Sequence, residues 1–126
     1  MSYANLDSVT TLTFDIFGTV LDLAGSLIPP LKLLLAACDA PPALTGEKVW
    51  AQWRLRQRIE QYQDNMLMLG HSGYLTVKRK ALMYTLRSLK VNFTSENLDK
   101  FMKAYQLLTP FKDATDGLIR LSNKYR

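Results

Sequence analysis

Little in this chain invites metal or thiol chemistry. Its 126 residues include one cysteine and one histidine. A single thiol cannot close an intramolecular disulfide, and a histidine with no second histidine or cysteine pair nearby has none of the spacing of a zinc site. Cys38 ends the apolar run LKLLLAAC and reads as a small buried hydrophobe rather than a nucleophile. His71, in Gly70-His71-Ser72-Gly73, reads as a surface-loop residue. Glycine and proline are sparse, six and five residues, and they form neither a Walker-type loop nor a dinucleotide fingerprint. No apolar run approaches the ~18 residues of a membrane span, and no N-terminal stretch has the form of a signal peptide. The expectation is a cytoplasmic protein with no membrane contact, no cofactor and no metal.

What is present is the composition of one ordinary globular domain: 48% apolar, 10% aromatic and 21% charged residues. At this length folding buries roughly two-thirds of the unfolded surface, enough for a core without covalent staples. The net charge of +5 is uneven. Residues 1–44 carry one base against four acids, whereas residues 45–126 carry fifteen bases against seven acids. The dense pieces, Arg54/Arg56/Arg58 and Lys78/Arg79/Lys80, fit a solvated helical face better than a nucleic-acid surface. No recognised nucleic-acid motif accompanies them.

Along the chain, VTTLTF from Val9 to Phe14 is β-branched and apolar and breaks at Asp15 and Gly18, the pattern of a short buried strand ending in a turn. Helices follow. The first is expected over Ile28 to Cys38, with Pro29 and Pro30 at its start and Leu31, Leu34, Leu35 and Cys38 on one stripe. Thr45 is a plausible N-cap for a long helix with Val49, Trp53, Arg56, Ile59, Tyr62, Met66 and Leu69 on its apolar side, stopping at Gly70. A third helix is expected from Thr76 to Leu89 with Leu82, Leu86 and Leu89 inward. A fourth begins after Thr94, carries Leu98, Phe101, Met102 and Tyr105, and is ended by Pro110. A last helix has Asp113 as N-cap and Leu118, Leu121 and Tyr125 on one face.

One strand cannot make a sheet, because both its edges would keep unpaired N–H and C=O groups. A final helix that would lead into another parallel strand points to a sheet continuing past Arg126. The sequence therefore looks truncated.

The informative stretch is LTFDIFGTVLD, from Leu12 to Asp22. A carboxylate at the end of a buried strand, followed by a Gly/Thr turn, sits where open α/β sheets place their ligands. Asp15, beside Phe14, Ile16 and Phe17, is either a turn or capping aspartate or a functional one. Trp53 and Tyr62 are core or cap packing, or they line an apolar pocket.

FDIFGTVLD resembles the first motif of the haloacid dehalogenase superfamily, whose strand-end aspartate is a covalent nucleophile. Trp53-Arg54 early in the long helix, Ala81-Leu82 in the third, and LLTPFKDATDGLIRLSNKYR from Leu107 to Arg126 are similar in order and spacing to the 2-haloacid dehalogenase (type II) branch. The resemblance implies an α/β fold, a Rossmann-like core with an inserted helical-bundle cap, of which this chain holds a mostly α-helical part. Residues 1–22 would be the first core strand and nucleophile loop, 23–108 the cap, and 109–126 the helix returning to the core. It implies Asp15 as nucleophile, with Phe17, Gly18 and Thr19 of the turn and Trp53 of the cap as substrate contacts. Phosphatases of the superfamily carry a second aspartate two residues after the nucleophile. Phe17 stands there instead, which removes the proton donor for a leaving alkoxide and suits displacement of a halide. The resemblance also implies an arginine near the start of the long cap helix for the substrate carboxylate and the leaving halide. Thr45 stands at that arginine's position, just before Gly46-Glu47, and a neutral threonine offers no charged fork; Lys48 and Arg54 are nearby cations, but neither follows from the motif.

The expected function is that of a hydrolase forming an aspartyl ester with a small organic acid, held between cap and core. The superfamily's Ser/Thr motif and lysine have no counterpart in the chain, and Leu121-Ser122-Asn123 is a lookalike on a helical stripe. The 126 residues alone are therefore expected to be inactive. The alternative is a catalytically inactive, truncated protein that acts through protein–protein interaction. Either reading leaves room for a homodimer or for a partner that completes the sheet.

Overall fold

The computed structural model describes residues 8–66 and 71–125. The chain divides into two compact units, one of Met1–Leu23 with Leu108–Arg126 and one of Ala24–Leu107. Five α-helices run through them: α1 (Leu23–Ala37), α2 (Gly46–Met66), α3 (Tyr74–Ser88), α4 (Ser95–Met102) and α5 (Ala114–Ser122), with a 3-10 turn over Lys103–Gln106 after α4.

The expected strand is absent. Residues 9–16 form no ladder, the described residues contain only the isolated bridges Phe17–Leu21 and Leu21–Pro110, and Phe14 and Ile16 are about half exposed. The reason is the one that makes a lone strand untenable: no second strand among the described residues takes up its amide and carbonyl groups.

In the larger unit α2 packs on α3, and α3 on α4. The helix α1 starts five residues earlier than the prolines predict, so Pro29 and Pro30 lie inside it. Their missing amide donors weaken the helix locally. Burial of Leu23, Leu27, Leu31, Leu34 and Leu35 along one face offsets that loss and carries the helix through. Cys38, expected buried, is only partly so. Burial and then the Asp39 carboxylate raise its thiol pKa, which keeps it inert.

Thr45 caps α2 as expected, its Oγ1 accepting from the Lys48 amide at 3.3 Å. Gly46 then lets the helix start against α1: a Cβ there would lie 2.8 Å from Lys32 Cγ and 3.2 Å from the Ile28 carbonyl oxygen. The buried positions of α2 are Gly46, Val49, Trp53 and Gln57, while Ile59, Tyr62 and Met66 face outward. The predicted stripe recurs every ~3.3 residues, short of the ~3.6 of an α-helix, so it winds off the covered face. Leu69 and the expected stop at Gly70 lie outside the described residues.

α3 buries Val77, Lys78, Ala81, Leu82, Thr85 and Leu86. α4 opens on a capping box in which Thr94 Oγ1 accepts from the Asn97 amide at 3.1 Å and Asn97 Oδ1 accepts from the Thr94 amide at 3.0 Å. It ends at Met102, before Pro110 can act as terminator. Asp113 does occupy the N-cap position of α5, but its side chain makes no capping bond. No described helix is long and apolar enough to cross a membrane.

Candidate functional site

The loop around Asp15 belongs to the smaller unit. Gly18 adopts φ 95°, a conformation that an L side chain rarely takes and glycine takes freely. This turns the chain sharply, so that Gly18 N donates to Leu21 O at 2.9 Å, while Val20 N and Leu21 N donate to Ile16 O at 3.0 and 2.8 Å. The returning segment pins the loop, with Asp22 N donating to Thr109 O at 2.8 Å and Phe111 N to Val20 O at 3.0 Å. The turn brings Thr19 back to Asp15, where Thr19 Oγ1 donates to Asp15 Oδ2 at 2.9 Å. That bond fixes one oxygen of the carboxylate. Asp15 itself is exposed, contrary to the buried setting expected beside Phe14, Ile16 and Phe17, because those side chains have no sheet to pack on. Phe17 and Gly18 occupy the same turn, and Phe17 is 43% exposed.

Trp53, expected at the substrate, is fully buried in the larger unit. Its indole N–H donates to Lys78 O at 3.0 Å, and its ring meets Trp50, Phe101 and Tyr105 edge-on at 5.7, 5.4 and 5.7 Å. These contacts make it the centre of the helical core. Tyr62, the other pocket candidate, is 70% exposed.

Around Trp53 lies a polar cluster that composition did not reveal. Lys78 is 5% exposed and Gln57 1%. Arg54 Nη1 donates to Gln57 Oε1 at 3.2 Å, and the Lys78 ammonium lies 4.7 Å from the Tyr74 ring centre. The Gln57 Nε2 and the Tyr105 hydroxyl are buried, next to one another and to the Tyr74 side chain. Burial, and after it the Arg54 charge, lowers the Lys78 pKa below the ordinary lysine value. Burial likewise raises the Tyr105 phenol far above its usual range. The run Lys78/Arg79/Lys80 reads as a solvated face. It is so for Lys80, but Lys78 shares a helical face with Ala81, Leu82 and Thr85, and the i, i+3, i+4, i+7 spacing was the signal.

A second cluster ties the start of α3 to the end of α2. Asp64 accepts from the Ser72 hydroxyl and, at 3.0 Å, from its amide, while His71 Nδ1 lies 2.7 Å from Asp64 Oδ2. These bonds, Ser72 first, hold the Asp64 carboxyl below its usual range. His71 is thus an exposed clasp residue. Among the described residues no group of three or more His, Cys, Asp or Glu side chains could hold a metal ion.

The (S)-2-haloacid dehalogenase of Pseudomonas sp. (strain YL) is 24% identical over 119 residues, which are 94% of this chain and 47% of that protein. The enzyme of the same name from Xanthobacter autotrophicus is 28% identical over 114 residues, 90% of this chain and 42% of that one. The chain is similar to the 2-haloacid dehalogenases. It spans about half the length of the curated relatives it matches. A solved structure described as a dehalogenase matches with TM-score 0.72 at 25% identity, covering 94% of this chain and 49% of that one. The structure of the Xanthobacter autotrophicus L-2-haloacid dehalogenase with chloropropionic acid covalently bound matches with TM-score 0.70 at 26% identity, over 90% and 43% of the two chains. No family model matches.

Proposed function

We propose that this chain is the nucleophile-bearing part of a hydrolase that removes halide from small 2-halogenated organic acids, with an α/β core into which the helical unit is inserted as a cap. The observation that carries this reading is the FDIFGTVLD loop, whose Thr19 hydroxyl holds Asp15 at 2.9 Å, in a chain 94% covered by a dehalogenase relative. Asp15 attacks the halogen-bearing carbon with its free carboxylate oxygen. The C–O bond forms as the carbon–halogen bond breaks, and the halide leaves with the electron pair. Water then adds to the aspartyl carbonyl of the ester, releasing the hydroxy acid and a proton and restoring Asp15. A halide needs no protonation on leaving, which agrees with Phe17 two residues after the nucleophile.

The substrate carboxylate needs a cation. Of the two on the first turns of α2, Lys48 is engaged with the Ala43 carbonyl oxygen at 3.0 Å, whereas Arg54 is half-buried with only a neutral amide acceptor. Arg54, with its planar fork, is the better carboxylate binder. Phe17, Gly18 and Thr19 shape the nucleophile loop, and Trp53 acts as core support.

Single-turnover hydrolysis of (S)-2-chloropropionate in ¹⁸O-labelled water by the whole hydrolase of which this chain is proposed to be a part tests the reading. The label should enter the carboxylate of the Asp15 peptide, and Asp15→Asn should abolish both labelling and halide release. Halide release that persists in Asp15→Asn, with no label in the peptide, would exclude Asp15 as nucleophile. The smaller unit favours a second reading, a non-catalytic protein acting by interaction, because Leu23 is the one buried residue among its described residues while Phe14, Ile16 and Phe17 stay exposed. Absence of any halide release by protein with intact Asp15 is its signature.

A further inference from the structure

Between α1 and α4 lies a groove that the hydrolytic reading leaves unused. Both helices belong to the Ala24–Leu107 unit, and they meet near Cys38, whose thiol donates to Asn97 Oδ1 at 3.7 Å. The groove has a volume of about 340 Å³ and is walled by Pro30, Leu34, Ala37 and Phe101, which is room for one small ligand. Pro30, Leu34 and Ala37 follow one another at i, i+4 and i+7 on α1, so the apolar wall runs lengthwise for about 10 Å. Leu33, on the same rim, is 73% exposed.

The polar lining is one-sided. It consists of Lys100 and Asn97, both from α4. Lys100 stands four residues after Glu96, the spacing of a helical ion pair, yet among the described residues no carboxylate lies within ion-pair distance of it. Asn97 uses its carbonyl oxygen in the cap of α4, accepting from the Thr94 amide and hydroxyl at 3.0 and 2.8 Å. Those bonds fix the side-chain amide and leave Nδ2 to donate elsewhere. The groove therefore sets two donors, one of them charged, beside an apolar wall.

We propose that this groove binds a free fatty acid of medium chain length, its alkyl chain along Leu34, Ala37 and Phe101 and its carboxylate on Lys100 and Asn97 Nδ2. An alcohol of the same length would leave the ammonium without a counter-charge, and a short acid would leave the apolar wall in water. Every residue of the site belongs to the helical unit, so the proposal stands whether or not Asp15 is a nucleophile.

Titration of the 126-residue chain with octanoate, butyrate and octanol, each below its aggregation limit and at constant ionic strength, followed by amide chemical shifts, tests this. Octanoate should shift amides of α1 and α4 and bind roughly tenfold or more tighter than butyrate, because it buries more methylenes. It should also bind more tightly than octanol, which lacks the charge. Lys100→Met should weaken octanoate to the level of octanol, and Lys100→Arg should keep the difference between them. Ala37→Trp, a change at an exposed position, should fill the groove and abolish octanoate binding with the helical circular dichroism unchanged. Four results would each overturn the proposal: no octanoate binding, shifts spread over the whole chain, equal affinity for octanoate and octanol, or octanoate binding indifferent to Ala37→Trp.

Discussion

Asp15, Lys78 and Asp64 are three charged side chains whose settings differ because of what reaches them. Asp15 is held by one hydroxyl four residues on, so its environment is local and the loop motif alone implies it. Asp64 gathers Ser72 and His71 from eight and seven residues away, and the bonds from Ser72 lower its pKa. A carboxyl whose folded pKa is depressed contributes stability above its unfolded pKa of about 4 and loses it as pH falls through the folded value. Asp64→Asn should therefore destabilise the protein at neutral pH, with the gap closing below about pH 4. Urea denaturation of both proteins across pH 2–7 measures this, and a gap that stays constant to the acid end would show that the clasp is not electrostatic. Lys78 is the opposite case. Its neighbours Arg79 and Lys80 in sequence say "surface", and only the packing of α2 over α3 says otherwise.

At the scale of elements, helix ends explain what propensity did not. Both α1 and α3 finish in the same motif with a non-glycine residue at positive φ, Asp39 at 48° and Lys90 at 56°. After α3, Val91 N donates to Leu86 O at 2.9 Å and Lys90 N to Arg87 O at 3.0 Å, and Val91 and Leu86 are both buried. After α1, Ala40 N donates to Leu35 O at 3.0 Å and Asp39 N to Ala36 O at 3.3 Å. This is the Schellman arrangement, which normally uses glycine. An L residue there costs about 1 kcal/mol, so Lys90→Gly should raise stability by about that amount. A lower urea midpoint in Lys90→Gly would mean that the lysine side chain itself holds the turn. The third helix and the start of the fourth were legible to within a few residues, because leucine spacing and the Thr94 cap are local signals, whereas the fourth ends at Met102 and not at Pro110. The first helix was misplaced because proline was read as a start signal, while five leucines on a buried face outweighed it.

The whole molecule is uneven in the same sense. Among the described residues, every buried apolar one except Leu23 lies within Ala24–Leu107. A fragment of residues 24–107 should accordingly keep its helical circular dichroism and a cooperative urea transition. A featureless, non-cooperative melt of that fragment would show that the helical unit depends on the rest of the chain. By itself the sequence determined the Thr45 and Thr94 caps of α2 and α4 and the turn at Gly18, because these are set by residues within a turn or two of one another. Tertiary structure decided that Trp53 is core, that Lys78 is buried beside Arg54, and that residues 9–16 join no ladder. Each of those depends on which face another element covers, and local spacing carries no record of that.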